Sequence, residues 1–405
     1  MTVLERRDAQ ASFAAFARIL RVLPAIVTAV TICCVQAFAR SSPANSRSRE
    51  ADADSLFTNG ALHVLKIDIS RAGLRSLRQD PRKYVPATLR EGPLVFTNAM
   101  VRLKGGAGSF RSLEDKPGLT INLGESGRAF HGLRKFHLNN SVQDPTYLSE
   151  WLCSEIFREA GVPAGRVAHA VVELNGRRLG LYVLLESINS EMLSQYFNQP
   201  HGNVYSLGAN ADVDGGLEQM GGREESHGAE LLSLAAAARQ SNLEKLRASL
   251  SRTLDIPRFL SFMAVEVLLD HWDGYTFNIK NYEVYHDPAT GKCVFMPHDL
   301  DQVLRNANAP IFPRAQGMVA RAILRDPETR AQYRQRFSEV FSKTFVVPAL
   351  TKRIDARVAA LGPDLKRYDP ELARELSANS ADLKIRIVRR AQALTVKSAP
   401  GAVAR

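Results

Sequence analysis

Apolar and polar positions alternate through "ALHVLKIDIS" (residues 61–70), and the same period of two returns in "LVFTNAMVRLK" and "GLTINL". That spacing turns one face of an extended segment toward a core and predicts a strand-rich N-terminal portion. The period changes at "DPTYLSEWLCSEIFREAG", where Tyr147, Leu148, Trp151, Leu152 and Ile156 share a helical stripe. Asp144 before Pro145 predicts the start of this helix, and Gly161 its end. "RVAHAVVELNGRRLGLYVLLESI" reads as a hairpin around Asn175-Gly176, a pair that tolerates the left-handed backbone of a tight turn.

Helical spacing dominates from about residue 224, in "HGAELLSLAAAARQS", "NLEKLRASLSRTL" and "IPRFLSFMAVEVLLDHW". The middle segment adds the acid-to-base pair Glu244 and Arg247. A second hairpin, "NYEVYHDPATGKCVFMPHDLD" (Asn281 to Asp301), interrupts this run, and amphipathic helices resume from Val346. No internal repeat is visible. Strands with one helix, then helices with a two-strand insertion, predict an α+β fold of two lobes.

The chain has 405 residues, 45% of them hydrophobic, enough to bury a sizeable core. Its 53 Lys+Arg outnumber 42 Asp+Glu, a balance that suits an anionic partner such as a nucleotide. Zinc-finger spacing, RNA-binding aromatic motifs and compact basic blocks do not occur, which argues against nucleic acid. Arg18 and Arg21 precede the apolar run "VLPAIVTAVTICCVQAFA", which ends in Ala37-Phe38-Ala39. This is the composition of a secretory signal over residues 1–39, cleaved after Ala39. A polar linker over 40–60, a main domain over 61–345 and a helical extension over 346–405 follow. The expected location is then secreted, periplasmic or envelope-bound, with no integral membrane domain after cleavage. Cys153 and Cys293 remain, either as one disulfide or as two buried thiols.

Candidate chemistry gathers around the second hairpin. In "LLDHWDGYTFN", Asp273 falls where a long apolar helix gives way to a polar loop. Asn278 follows five residues later, Asn281 opens the hairpin, and Asp299 and Asp301 follow its second strand. If that strand persists, the two acids project to one side. Carboxylates beside an amide oxygen suit Mg²⁺ or Mn²⁺, which share their coordination with phosphate and water. Acid, amide, hairpin and acid is also the order in which protein kinases place their catalytic and metal-binding groups. Spacing from Asp273 favours Asn278, and register against the hairpin favours Asn281. Upstream, "KGGAGSFR" (Lys104 to Arg111) is a glycine-rich turn able to bring backbone N–H groups to an anion. Lys116 is a candidate phosphate-binding cation with Lys104 in reserve, and Glu150 or Glu155 could pair with it.

These residues and the stretches "FHGLRKFHLNNSVQDPTYLSEWL", "ELNGRRLGLYVLLESI" and "HWDGYTFNIKNYEVYHDPATGKCVFMPHDLDQVL" resemble the CotH (spore coat protein H) kinase-like family, from about Val101 to Leu304. The resemblance implies an atypical protein-kinase fold that uses ATP and Mg²⁺ or Mn²⁺ to phosphorylate serine on secreted or coat proteins. It implies Asp273 as the catalytic carboxylate, Asp301 with Asp299 on metal, and Asn278 or Asn281 as metal or loop-ordering ligand. It also implies Lys116 on phosphate with Glu150 as partner, and "GLYVLLESI" as the hinge strand leading to Glu186, where adenine would lie against backbone groups. The chain departs from the family at its first loop and at His298, where many relatives carry Trp.

Three other readings exist. A catalytically silent member would keep the fold as a binding or assembly module of the envelope or coat. A calcium loop at "NADVDGG" would need an acid where Gly221 stands, which leaves Asp212 and Asp214 as turn residues. A zinc enzyme built from His271, His286, His298 and Cys293 lacks ligand spacing.

Overall fold

A computed structural model describes residues 56–58, 60–124, 128–207, 211–215, 217–222 and 227–398. The signal and most of the linker expected over residues 1–60 lie outside the described residues.

Seven strands close into a barrel in the order β1-β2-β3-β4-β5-β7-β6. They are β1 (Leu62–Ile69), β2 (Val85–Glu91), β3 (Leu94–Lys104), β4 (Gly118–Asn122), β5 (Lys135–Asn139), β6 (Val167–Leu174) and β7 (Arg177–Glu186). Alternating residues of these strands, Leu65, Ile67, Leu89, Val101, Ile121, Phe136 and Leu184 among them, fill the interior. Closure comes from a parallel pairing of β1 with β6, Leu62 opposite His169 through Ile67 opposite Leu174. Asn175 secures that seam. Its side chain accepts from Ile69 N at 2.9 Å and donates to Ile69 O at 2.7 Å, and it takes φ 49° in the expected hairpin turn.

Helix α1 (Arg71–Gln79) follows β1, and α2 (Ser149–Glu159) connects β5 to β6. The sequence places the start of α2 at Asp144, but the helix begins five residues later. Tyr147 takes φ 56° and breaks the helical path. Asp144 instead closes a loop, accepting from Thr146 N at 3.1 Å and reaching Ser149 N in the first turn at 3.1 Å.

The second lobe is built on helices. A short α3 (Ser190–Leu193) leads to β8 (Val204–Leu207) and β9 (Leu217–Gly221), then α4 (Ala229–Ala238), α5 (Leu243–Thr253) and α6 (Ile256–Leu268). After one turn of helix, α7 (Tyr275–Asn278), come β10 (Tyr282–Asp287) and β11 (Lys292–Pro297), the expected hairpin. It joins β8 and β9 in a sheet ordered β11-β10-β8-β9. Helices α8 (Met318–Arg325), α9 (Pro327–Thr344), α10 (Val347–Tyr368) and α11 (Pro370–Ser398) complete the chain. Asp255 caps α6 by accepting from Arg258 N at 3.2 Å, and every residue from Phe259 to Leu268 is buried. Leu350, Leu361, Leu383 and Ile387 of α10 and α11 belong to the same core as α6, so the C-terminal segment packs on the domain. Among the described residues no helix is long and apolar enough to cross a membrane.

Candidate active site

Asp273 lies between the end of α6 and the start of α7, in a loop organised by a buried acid. Glu266, fully buried among apolar neighbours, accepts from Tyr275 N and Thr276 N at 2.9 Å each and from the Thr276 hydroxyl. Those bonds satisfy two of the orphan N–H groups at the start of α7. Gly274 admits no side chain, because a Cβ would lie 2.2 Å from Glu266 Oε1. His271 stands 3.5 Å from Glu266 and its Nε2 is 3.3 Å from Asp299 O, bridging the loop to the later acids. Burial depresses its pKa, but Glu266 and Asp299 outweigh that and raise it.

The carboxylate of Asp273 accepts from Asn278 Nδ2 at 2.9 Å and Asn281 Nδ2 at 3.2 Å, and Lys280 Nζ is 3.5 Å away. The structure thus brings both candidate asparagines to the acid, in different roles. Asn281 lines a cleft of about 230 Å³ with Asp299, Asp301, His298, Lys104, Gly105, Gly106, Ser109 and Asn139; Asn278 does not line it. Asp299 and Asp301 both face this cleft, though not by strand alternation. Strand β11 ends at Pro297, and Asp299 turns the chain at φ 53°.

Lysine placement differs from the sequence expectation. Lys104, the last residue of β3, donates to Asn139 Oδ1 and lies in the field of Asp299, Glu150, Asp301 and Glu283. Burial lowers its pKa, and those four carboxylates oppose the shift. Lys116 instead donates to Tyr147 OH at 2.7 Å and sits 4.8 Å and 5.1 Å from the Tyr147 and Tyr182 ring centres. Its pairing with Glu150 is not formed. Glu150 accepts from Leu300 N at 3.1 Å, directly beneath Asp299 and Asp301, while Glu155 pairs with Arg353 on α10.

The glycine-rich turn forms the roof of the cleft. Gly105 takes φ 115°, and a Cβ there would meet the Phe110 backbone at 2.9 Å, so only glycine allows the turn. Asn140 pins it by donating to Ser109 O and Lys116 O at 2.9 Å each.

Glu186 is engaged elsewhere. Both its oxygens are held by the Arg166 guanidinium, at 2.6 and 2.9 Å, and its N–H donates to Arg166 O at 2.9 Å. Beside it lies a space of about 20 Å³, also lined by Gly165, Glu150 and His298. A space that size admits a water molecule and no purine ring. The Glu186 carboxylate itself is taken up by Arg166.

The acids of the cleft fit a hard divalent cation. Burial, then Asp299, Glu150 and Asp144, push Asp301 up to about 9, and burial with Asp299 pushes Glu150 up to about 7. Carboxylates crowded in this way are relieved by a cation among them, and oxygen donors with an open face suit Mg²⁺ or Mn²⁺.

Sequence reasoning overlooked Glu266 and read Asp212 only as a turn residue. A lone acid inside the apolar stretch "FMAVEVLL" was a legible signal, since buried carboxylates are retained only with partners. Asp212 accepts from Tyr275 OH at 2.9 Å and Met318 N at 2.6 Å, tying the segment that follows Asp273 to α8. Asp214 pairs with Arg239. Cys153 and Cys293 are both buried free thiols.

A strand barrel, a helical lobe and an acid–amide–acid cleft between them are the parts of a kinase-like protein. The chain belongs to the CotH kinase protein family, whose pattern matches residues 101–384. Among curated relatives, the inner spore coat protein H of Bacillus subtilis is 23% identical over 275 residues, covering 60% of this chain and 75% of that protein. Invasin CotH2 of Rhizopus delemar is 25% identical over 264 residues, covering 57% of this chain but only 44% of the invasin. Among solved structures, the proinflammatory kinase CtkA of Helicobacter pylori aligns with a TM-score of 0.31 at 12% identity, over 69% of this chain and 95% of that one.

Proposed function

We propose that this protein is an ATP-dependent protein kinase that transfers the γ-phosphate to a serine hydroxyl of a secreted or coat-type protein, outside the cytoplasm. The observation that carries this reading is the convergence of Asn281, Asp299, Asp301 and Lys104 on one cleft, with Asp273 joined to it through its 3.2 Å hydrogen bond from Asn281. In it, Asp301 and Asp299 with Asn281 would hold Mg²⁺ or Mn²⁺, and Lys104 and the backbone of Gly105 and Gly106 would face the phosphates. ATP supplies the phosphoryl group when bound, and the cation neutralises its charge.

Asp273 then orients the acceptor hydroxyl and receives its proton. Asn278, Asn281 and Lys280 fix the direction of its carboxylate, and Glu266 and His271 fix the loop that carries it. The spore coat name of one relative and the signal-like N-terminus support a coat or envelope acceptor.

The test is incubation of the purified protein with γ-labelled ATP and Mn²⁺. Label on serine in the wild type, and none in Asp273→Asn, is the expected result. Thermal stabilisation by Mg²⁺ and ATP without transfer to the protein or to added acceptors would mark a silent binding module instead.

A further inference from the structure

Three side chains at the other end of the barrel take no part in the cleft. His63 opens β1, Glu91 closes β2, and His131 sits on the tight turn preceding β5. The β1–β2 register sets Lys66 against Arg90, so His63 and Glu91 lie two residues beyond the inward-facing Leu65 and Leu89. Both therefore point into the barrel mouth. His131 reaches them from above. Phe130 and Leu133 exchange backbone hydrogen bonds at 2.9 and 2.8 Å, leaving His131 and Gly132 at φ 44° and 80°. That turn favours Asn or Gly at its first central position, so a histidine there is held at some conformational cost. Its ring is fixed edge-on to Phe130, with centroids 4.6 Å apart.

The polar atoms converge. His63 Nδ1 is 2.6 Å from Glu91 Oε1, His131 Nε2 is 2.5 Å from Glu91 Oε2, and all three donor atoms lie within 4.8 Å of one another. Nε2 of His63 is buried without a hydrogen-bond partner, so the polar chemistry of this ring is directed at Glu91 and what Glu91 can hold. Tetrahedral zinc, with bonds of about 2.0–2.2 Å, separates its ligand atoms by about 3.3 Å. Opening each present contact by less than about 1 Å meets that requirement. The side chains keep 10%, 17% and 25% of their surface exposed, which leaves an outward position for water.

We propose that His63, Glu91 and His131 form a transition-metal site, with Zn²⁺ as the fitting ion, that clasps the mouth of the barrel. Two imidazoles and one carboxylate with an open position suit Zn²⁺ or Co²⁺, whereas Mg²⁺ demands oxygen ligands. The site is separate from the cleft. The eleven residues of β3 run between them, from Leu94 beside Glu91 to Lys104, roughly 35 Å at strand spacing. A bound ion would tie the turn before β5 to β1 and β2 and stiffen the barrel that carries Lys104.

Chelator-stripped protein titrated calorimetrically with Zn²⁺, without nucleotide, tests this. One Zn²⁺ per chain, with affinity reduced more than about tenfold in His131→Ala and in Glu91→Gln but retained in Asp301→Ala, is the expected result. Co²⁺ in the wild type should give the visible absorption of a tetrahedral site with imidazole ligands, a readout that needs no variant. Absence of Zn²⁺ uptake, or uptake lost in Asp301→Ala and unchanged in His131→Ala, would overturn the site.

Discussion

Asp273 offers two carboxylate oxygens, and three side chains already hold them: Asn278, Asn281 and Lys280. A group that steers a hydroxyl needs that fixed direction. Asp273→Asn should reduce turnover on the order of a hundredfold or more with nucleotide affinity nearly unchanged, as measured by initial rates and calorimetry. Lys104 and Lys116 make a sharper pair. Loss of a charge-assisted contact costs about 1.5–3 kcal/mol, so Lys104→Met should weaken nucleotide binding roughly ten- to a hundredfold. Lys116→Met should leave it unchanged, because that ammonium is spent on Tyr147 and Tyr182. Asp301 gives a pH dependence. Its pKa rises from the ordinary 3.8 to about 9, so between those values the metal-free folded protein holds a proton that the unfolded chain has released. Its stabilising contribution is complete below about pH 4 and is lost as the pH climbs toward 9. Mg²⁺ replaces that proton, so the rise in Tm on adding Mg²⁺ should be larger at pH 8.5 than at pH 6. An equal rise at both would place the cation elsewhere. At this scale the sequence revealed the acids and amides, because their order survives folding. It put Lys116 ahead of Lys104, since only the path of the glycine-rich turn decides which lysine enters the field of Glu150.

Helix α11 shows how the elements depend on one another. Arg390, fully buried, donates to Leu268 O at 3.0 Å, Val267 O at 2.6 Å, Ala307 O at 2.9 Å and Ala309 O at 2.7 Å. The first pair ends α6 just before Asp273, and the second follows Asp301. One guanidinium therefore clamps both segments that deliver the site's acids. Arg390→Met strands those carbonyls and should cost about 2–4 kcal/mol, read by urea unfolding of the full chain, with nucleotide affinity falling alongside. Arg386 adds a bond to Val303 O at 2.8 Å on the same face. The tail was legible as amphipathic helix, but its dependence was not: helical period shows which face is buried and never against what. The hairpin β10–β11 was legible because alternation and turn residues are local. The end of β11 at Pro297 was not, since tertiary contacts of Asp299 and Leu300 override strand continuation.

For the molecule as a whole, the barrel supplies the glycine-rich turn and Lys104, the helical lobe supplies Asp273, Asn281, Asp299 and Asp301, and α2 carries Glu150 between them. Two lobes of α+β character could be read from the chain. Closure could not, because the parallel seam of β1 and β6 joins segments about a hundred residues apart and leaves no local pattern. The family match over residues 101–384 reaches into α11 and ends before the clamping Arg386 and Arg390. The central claim is that acids from one lobe and a lysine from the other hold a single metal–nucleotide complex. Calorimetric titration of ATP with Mg²⁺ into the wild type and into Asp301→Ala tests it most directly. One site in the wild type, weakened more than about tenfold by the substitution, is the expected result. Equal affinity in the two proteins would contradict it.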